Sequence, residues 1–336
     1  MEKANANLMK EINLNNLRRV MSQVGVATKP QLAAMTGLSV VTINSLVKEL
    51  LDCGELLEDK TVPSNGGRPA VTYRFNYDFS LALVLHVNEK LGLDVVFASV
   101  VNLQEEVLMR EEHAIQVFDL NRFFGMIDRI LALYPSVKAI GIGIPGQTIN
   151  GKIAVTSHEE LQGVSLVEEV QNKFGLPVIL ENDVNAAISG YCNKEQLGDN
   201  QIVLGVYFPE KYQPGMGIFL DGRIVKGKNG MAGEIKFLPI EIDWKQRFAT
   251  AEFVAIICKF IHTLNAVLAP DQIVVYRENL EESTLLRAWD TYASKYKFPS
   301  LPEINVSDSF YKDFEEGMKW LTLQELKPSK SNGIKR

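Results

Sequence analysis

Residues 28–75 read TKPQLAAMTGLSVVTINSLVKELLDCGELLEDKTVPSNGGRPAVTYRF. Thr28-Lys29-Pro30-Gln31 is an S/T-x-x-E/Q capping box: Thr28 accepts from an orphan N–H of the first turn, Gln31 reaches back, and Pro30 sits where no helical donor is needed. Gly37 ends that helix and permits a tight turn, and Ser39 can cap the next one. On the second helix Ile43, Leu46, Val47, Leu50 and Leu51 share one face at 3.6-residue spacing and are expected to pack inward. Val41, Asn44, Ser45 and Lys48 fall on the opposite face, short enough to lie against base edges in a major groove. After Gly54 come two extended stretches, Glu55–Asp59 and Ala70–Asn76, around Pro63-Ser64-Asn65-Gly66-Gly67-Arg68-Pro69. A hairpin with a glycine-rich tip carrying one arginine has the form of a wing that reaches phosphate or the minor groove. The segment reads as a winged helix-turn-helix; a helical hairpin needed only for packing gives no reason for the appended wing.

Outward from this segment, composition sets bounds. At 336 residues the chain is long enough for two or three domains, and an apolar fraction of 46% supplies real cores. No run of 18 uncharged apolar residues appears, so no membrane span is expected. No basic region followed by an apolar stretch opens the chain, so no secretion signal is expected. Cys53, Cys192 and Cys258 are odd in number and far apart, which suits reduced thiols in a cytoplasm and not a disulfide framework or a metal knuckle. Nine cations against eight anions leave residues 1–80 near neutrality, while the whole chain carries −6. Such a reader cannot hold DNA tightly by counterion release alone. It calls for two copies bound together, with Lys29, Lys48 and Arg68 well placed.

From Tyr77-Asp78-Phe79-Ser80 onward, strands alternate with helices. Leu81–Val87 and Gly92–Val101 read as a strand hairpin, Asn121–Tyr134 as a helix and Lys138–Ile144 as a buried strand ending in Pro145-Gly146. Val167–Phe174 reads as a helix and Pro177–Leu180 as a strand that turns into a helix through Glu181-Asn182-Asp183. Gln201–Phe208 and Gly217–Leu220 are strands, Ala249–Leu268 a long helix, and Ile273–Tyr276 the last clear strand. The alternation indicates an α/β fold with buried sheets. Periodicity alone leaves a Rossmann domain and a duplicated actin-like domain both open.

Here the sequence resembles a known family. The order helix, helix, turn with Gly37-Leu38-Ser39, second reader helix and Gly66-Gly67-Arg68-Pro69 is similar to the N-terminal domain of the ROK repressors (repressors, open reading frames and kinases). GIGIPGQTINGKI (Gly141–Ile153), LENDVNAA (Leu180–Ala187) and DGRIVKGKNGMAGEI (Asp221–Ile235) resemble three further stretches of that family, in its order and at similar spacing. The resemblance covers the chain from residue 28 to about 280. It implies a winged helix-turn-helix over 1–77 and a two-lobed actin-like ROK domain over 78–327 with sugar bound between the lobes; the polar composition of 328–336 separately gives the expectation of a flexible tail. It also implies a sugar-contacting set: Gly146 beside the sugar, Asn182, Asp183 and Glu234 as ligands, and Glu252 as a looser match to a second glutamate. The chemistry suits a hexose, because carboxylates and an amide satisfy ring hydroxyls that both donate and accept. Read without the family, Asn182-Asp183 could simply cap a helix and Glu234 could be a solvated carboxylate.

The departures from the pattern are as informative. Where the family's kinases carry DxGGT, whose amides and hydroxyl hold ATP phosphates, this chain has His86-Val87-Asn88-Glu89-Lys90. Their GGG turn is replaced by Val275-Tyr276-Arg277-Glu278, and their Gly-Thr-Gly turn by Pro209-Glu210-Lys211-Tyr212-Gln213-Pro214-Gly215. Asp183 matches the kinase base, but a base without a bound phosphoryl donor transfers nothing. Zinc-binding members use a His in AGExxH and three Cys; here Phe237 takes the His position and 238–252 holds neither Cys nor His. His86, His113, His158 and His262 are scattered. No catalytic residue, metal or cofactor is therefore expected.

The expected function is a sugar-responsive transcriptional repressor in the cytoplasm. Its DNA contacts are Lys29, Val41, Thr42, Asn44, Ser45, Lys48 and Arg68, and its partners are a double-stranded operator, a sugar or sugar phosphate, and a second copy in a homodimer, or further copies in a tetramer. The alternative is a DNA-binding regulator whose ROK domain no longer senses sugar and serves dimerisation, with Phe237 filling the cleft.

Overall fold

The structure, a computed structural model, describes residues 2–64, 67–90, 93–115, 117–156, 159–198, 200–210, 212–244 and 246–327. The chain opens with helix α1 (Glu2–Val24), short strand β1 (Val26–Thr28), and helices α2 (Lys29–Thr36) and α3 (Val40–Asp52). The capping box is present: the Thr28 N–H donates to Gln31 Oε1 at 2.8 Å and the Gln31 N–H to Thr28 Oγ1 at 3.4 Å. Gly37 has φ 70°, the left-handed value that a side chain makes costly. Ser39 caps α3 through the Thr42 N–H, and α2 and α3 bend 112° apart across this turn. Strands β2 (Leu56–Ser64) and β3 (Gly67–Phe75) then pair antiparallel, with β1 on the other edge of β3. Leu14, Leu17 and Met21 of α1 join Leu32, Ile43, Leu46, Val47, Leu50, Leu56 and Tyr73 in one core. A bidentate Arg18–Glu55 pair, at 2.6 and 2.7 Å, ties α1 to the start of the hairpin. Asn65, Gly66 and the side chain of Arg68 lie outside the described residues, as does 328–336.

The body repeats one topology twice. The first half runs β4 (Leu81–Lys90), β5 (Leu93–Val101), β6 (Val107–Ile115), α4 (Leu120–Leu133), β7 (Val137–Ile144), a two-stranded excursion β8 (Gly146–Ile149) and β9 (Lys152–Thr156), then α5 (Leu166–Phe174), β10 (Val178–Asn182) and α6 (Asp183–Lys194). The second runs β11 (Ile202–Tyr207), β12 (Gly215–Leu220), β13 (Arg223–Ile224), α7 (Thr250–Leu268), β14 (Gln272–Tyr276), α8 (Glu282–Ala293), β15 (Glu303–Ser307) and α9 (Phe310–Gln324). Each sheet is an antiparallel meander continued by two parallel strands, in the orders β10-β7-β4-β5-β6 and β13-β12-β11-β14-β15. The duplication separates this architecture from a single doubly wound sheet. The sequence reading stopped at Tyr276, so α8, β15 and α9 are additions to it.

Strand periodicity explains the layers. Leu81, Leu83, Leu85 and Val87 of β4 face an outer core with α4 and α5, while Ala82 and Val84 face the space between the sheets. Both faces of these strands are apolar because both are covered. Helix α7 is long and apolar enough to cross a bilayer, yet Val254, Ile257, Phe260, Ile261 and Leu264 are buried in the outer core of the second half. Between the sheets lie α6 and α9, crossing where both carry glycine. A Cβ on Gly317 would stand 1.7 Å from the Ala186 carbonyl oxygen, and one on Gly190 2.0 Å from that of Asp313. The backbones touch, which only glycine allows.

This crossing yields a paired expectation. Gly317→Ala forces a backbone clash and is expected to cost at least ~3 kcal/mol, of the order of a disruptive core change. Gly125→Ala, in the interior of α4 with nothing within 4 Å of its Cβ, removes only a flexible glycine and is expected to stabilise by about 0.5–1 kcal/mol. Denaturant melts of both variants check it; a harmless Gly317→Ala would contradict the close packing.

Candidate functional site

A cleft of about 650 Å3 opens between the two sheets, within the size range of small-molecule sites. Gly146 and Gln147 reach it from the start of β8, Asn182 and Asp183 from the β10–α6 junction, and Glu234 and Lys236 from the turn at residues 234–237. Four of the five sequence-predicted residues, Gly146, Asn182, Asp183 and Glu234, thus line one cavity. Glu252 does not. It lies in the first turn of α7 with its side chain exposed, away from the lining.

Asn182 is a structural cap as well as a wall residue. Its Oδ1 accepts from the N–H groups of Val184 (2.9 Å) and Asn185 (3.3 Å), and its Nδ2 donates to the Gly146 carbonyl (2.8 Å). That frame fixes Asp183 at the first position of α6, its Oδ1 accepting from the Val184 N–H at 2.9 Å. Burial pushes the Asp183 carboxyl up to about 7, and the charge of Glu234 adds to the rise; the Val184 and Asp183 backbone N–H groups and the Asn182 side chain offset part of it. Near neutrality this carboxyl can both donate and accept. Glu234 is held by the side-chain amide of Gln147 and by Lys236 Nζ at 2.7 Å. Gly233 makes its position possible: with φ 89°, a Cβ there would stand 2.0 Å from the Met216 carbonyl oxygen. Behind the cap, buried Glu181 accepts from the Asn182 N–H and Asn185 Nδ2 and pairs with Lys226 at 2.9 Å.

Phe237 corrects an expectation. It is 69% exposed and turned out of the cleft, with Lys236 Nζ 5.3 Å from its ring centroid. Residues 235–237 form a 3-10 turn in which successive side chains point about 120° apart, so Lys236 and not Phe237 faces the cavity. A further part of the wall is aromatic. Tyr207 stacks on Phe310 (centroids 3.6 Å, planes 8° apart), and Tyr311, Phe314 and Trp244 complete it. Gln147 sat inside a quoted motif without a role and Lys236 one residue past the end of another; the α9 aromatics had no motif to announce them.

Asn88 and Glu89 of β4 and Asp94 of β5 line the same cleft. Here β4 and β5 are in register as a hairpin, Asn88 opposite Val95 and Glu89 opposite Asp94. The backbone is extended and ladder-paired there, unlike the glycine turn that cradles phosphate. His86 is buried between Phe97 and Phe314, and burial first, then Arg110 and Lys319, pushes it down to about 4; it is a neutral core histidine. Among the described residues no cluster of three or more His, Cys, Asp or Glu could hold a metal ion.

A second surface lies on α3. Val40 and Val41 are 51% and 80% exposed, and Asn44, Ser45 and Lys48 are exposed beside them. Thr42 is half-buried, its Oγ1 2.9 Å from Ser39 Oγ at the helix cap. Lys29 Nζ sits 5.2 Å from the Tyr73 ring centroid.

Residues 90–258 match the family described as the ROK family. The chain is 26% identical over 243 residues to a xylose repressor of Caldicellulosiruptor bescii, covering 69% of this chain and 59% of that protein; the chain thus spans less than two thirds of that relative's length. Among solved structures, a ROK family transcriptional regulator, a homologue of the Escherichia coli MLC protein, aligns at TM-score 0.61 and 18% identity over 94% of this chain and 99% of its own. A ROK hexokinase from Thermus thermophilus aligns at TM-score 0.58 and 17% identity over 74% of this chain and 99% of its own. At these identities the structures share the two-lobed α/β fold of the family, which serves regulators and kinases alike.

The raised carboxyl gives a pH dependence. Between its ordinary value of 3.8 and about 7, unfolded Asp183 is ionised while the folded form keeps its proton, so its contribution lowers stability as pH rises through that window and is constant above it. Asp183→Asn keeps the acceptor for Val184 and is expected to stabilise the protein at pH 8 by ~2–4 kcal/mol, with the gain vanishing toward pH 4. Melting curves at both pH values check it; a gain of equal size at the two would remove the titration as its cause.

Proposed function

The chain belongs to the ROK family, and on that footing we propose that it is a sugar-responsive transcriptional repressor that binds an operator as a homodimer in the cytoplasm. In this reading residues 1–77 are a winged helix-turn-helix with α3 as its recognition helix, and 78–327 are the sensor and dimerisation domain. The observation that carries it is the coexistence, in one chain, of an unobstructed α3 face and a cleft on which Asp183 and Glu234 converge. Val41 suits a thymine methyl, Asn44 an adenine edge, and Lys48 and Lys29 the phosphates. The sugar hydroxyls would bond Asp183, Glu234 and Gln147, with Asn182 holding Asp183 in place. Phe237 leaves the cleft open, which supports a working sensor over a vestigial one. Binding acts through its differential affinity for open and closed lobes, which would alter the angle between two readers. A kinase reading is disfavoured by the paired hairpin at Asn88–Glu89 and by the carboxylates near it.

Three measurements test this. Operator binding is expected to weaken steeply with salt, and Lys48→Ala to lower the slope by about one. Asn44→Ala is expected to cost ~1–3 kcal/mol on the operator and nothing on random DNA; equal affinity of the wild type for both DNAs would defeat the repressor reading. In a coupled ADP-release assay with a hexose panel, no turnover above background is expected, and a rate abolished by Asp183→Ala would restore the kinase.

A further inference from the structure

A strap from the second half, running from Lys226 to Lys236, reaches over to the first. It is rooted in its own half. The Val225 N–H donates to the Ile218 carbonyl at 2.9 Å, the Met216 N–H to the Gly233 carbonyl at 3.1 Å, and Ile235 is buried in the second half's outer core. The Ala232 N–H closes the strap on the Lys226 carbonyl at 3.1 Å, and Gly227, Asn229, Gly230 and Gly233 take the positive φ values that so tight a path needs. The strap lies on β8, where a Cβ on Gly230 would stand 3.4 Å from the Thr148 carbonyl oxygen.

Two polar contacts then tie it to the first half. Within the cleft, Glu234 accepts from the Gln147 side-chain amide. Behind the wall, Lys226 Nζ pairs with Glu181 Oε2 at 2.9 Å. The two differ in what a ligand can do to them. Gln147 and Glu234 line the cleft, so ligand hydroxyls can take over their bonds. Glu181 and Lys226 border a separate cavity of about 50 Å3 behind Gly146 and Asn182, too small for a sugar ring. Glu181 is 7% exposed, and its two oxygens serve different halves. Oε1 accepts from the Asn182 N–H (3.1 Å) and Asn185 Nδ2 (3.0 Å), beside the cap that fixes Asp183, while Oε2 holds Lys226. Parting the halves here takes the counter-ion from a buried carboxylate, which is costly.

We infer that the Lys226–Glu181 pair is a clasp between the halves: it keeps the strap seated and Glu234 in the cleft wall before a ligand arrives, and so sets the affinity of the cleft without touching the ligand. The clasp stands on the contacts between the halves; its effect on an effector rests on the sugar-sensing reading. A ligand that needs the seated form binds in proportion to the fraction of molecules seated, so loss of the clasp weakens every ligand by one common factor. A side chain that touched ligand would weaken some and spare others.

Two variants break the clasp and spare its neighbours. Lys226→Met keeps the aliphatic stem, and Glu181→Gln keeps an acceptor for Asn182 and Asn185. Hydrogen exchange of the ligand-free full chain, followed by mass spectrometry, is expected to run several-fold faster at 146–156 and 226–236 in each variant. Strands β4 and β14 keep their wild-type protection, and the double variant exchanges no faster than the singles. Titration calorimetry with pentoses, hexoses and hexose phosphates is expected to show, in each variant, one common loss of about three-fold or more for every compound that binds the wild type. Exchange unchanged in either variant overturns the clasp. So does exchange that rises throughout the chain, which marks a general loss of stability, or a loss of affinity that differs from sugar to sugar. If no compound binds the wild type, the sugar-sensing reading fails and the exchange result alone decides the clasp.

Discussion

The contact between α6 and α9 is the constraint on which the rest depends. Two helices lie back to back between two sheets, close enough that the Ala186 carbonyl occupies the space where Gly317 would carry a side chain. Each helix delivers part of the cleft from its N-terminal end: α6 presents Asp183, and α9 presents Phe310, Tyr311 and Phe314. The distance between the polar and aromatic walls is therefore set by the crossing and not by the loops at the rim. The same helix α9 presses on β7, where Gly141 and Gly143 leave the room that Thr322 and Phe314 fill. Of the glycines in the GIGIPG stretch, Gly141 and Gly143 serve helix packing one layer behind the cleft, while Gly146 lines it.

How much was legible follows from how local each signal is. Thr28, Gly37, Ser39 and Asn182 act on groups within a few residues, so their chemistry was readable directly, and the structure has each in its cap or turn. Asp183 and Glu234 were found only through motif resemblance, since nothing in their own neighbourhoods says that residues 51 positions apart meet. Helix α9 was missed because its pattern misleads. Gly317 reads as a breaker, and Asp313 and Lys319 read as surface residues although they are 1% and 5% exposed. Asp313 is tied in by the Tyr276 hydroxyl at 3.1 Å, and Lys319 by Glu316 at 2.9 Å, partners that sequence spacing alone does not reveal for the first. The Phe237 expectation failed for another reason: alignment gives a position, whereas a 3-10 turn decides direction.

The cleft wall also departs from what a nucleotide site needs. A nucleotide site needs amide groups aimed outward from glycine turns. Paired strands in such a place, as where Asn88, Glu89 and Lys90 face Val95, Asp94 and Leu93, commit the backbone to the ladder and leave side chains to define the surface. Here those side chains include Glu89 and Asp94. The fold survives because the sheet is continued and not interrupted.

Strand β5 joins this chemistry to the N-terminal unit. Asp94 at one end lines the cleft, and the other end runs through Val101 into Asn102 and Leu103. Leu103 packs against both the inter-sheet core and the core of residues 14–75, and its N–H donates to the Tyr77 carbonyl at 3.0 Å. Asn102 bonds Asp78 at 2.8 Å and Glu106 at 3.0 Å, and the Tyr77 hydroxyl reaches the Ser22 carbonyl at 3.1 Å. A strand paired on both edges, by β4 and β6, resists bending along its length, roughly 30 Å for nine residues. Such a strand would carry any displacement of the first sheet at the cleft to the seam as a rigid movement. The wall that lines the cleft and the surface that seats the N-terminal unit are two ends of one strand.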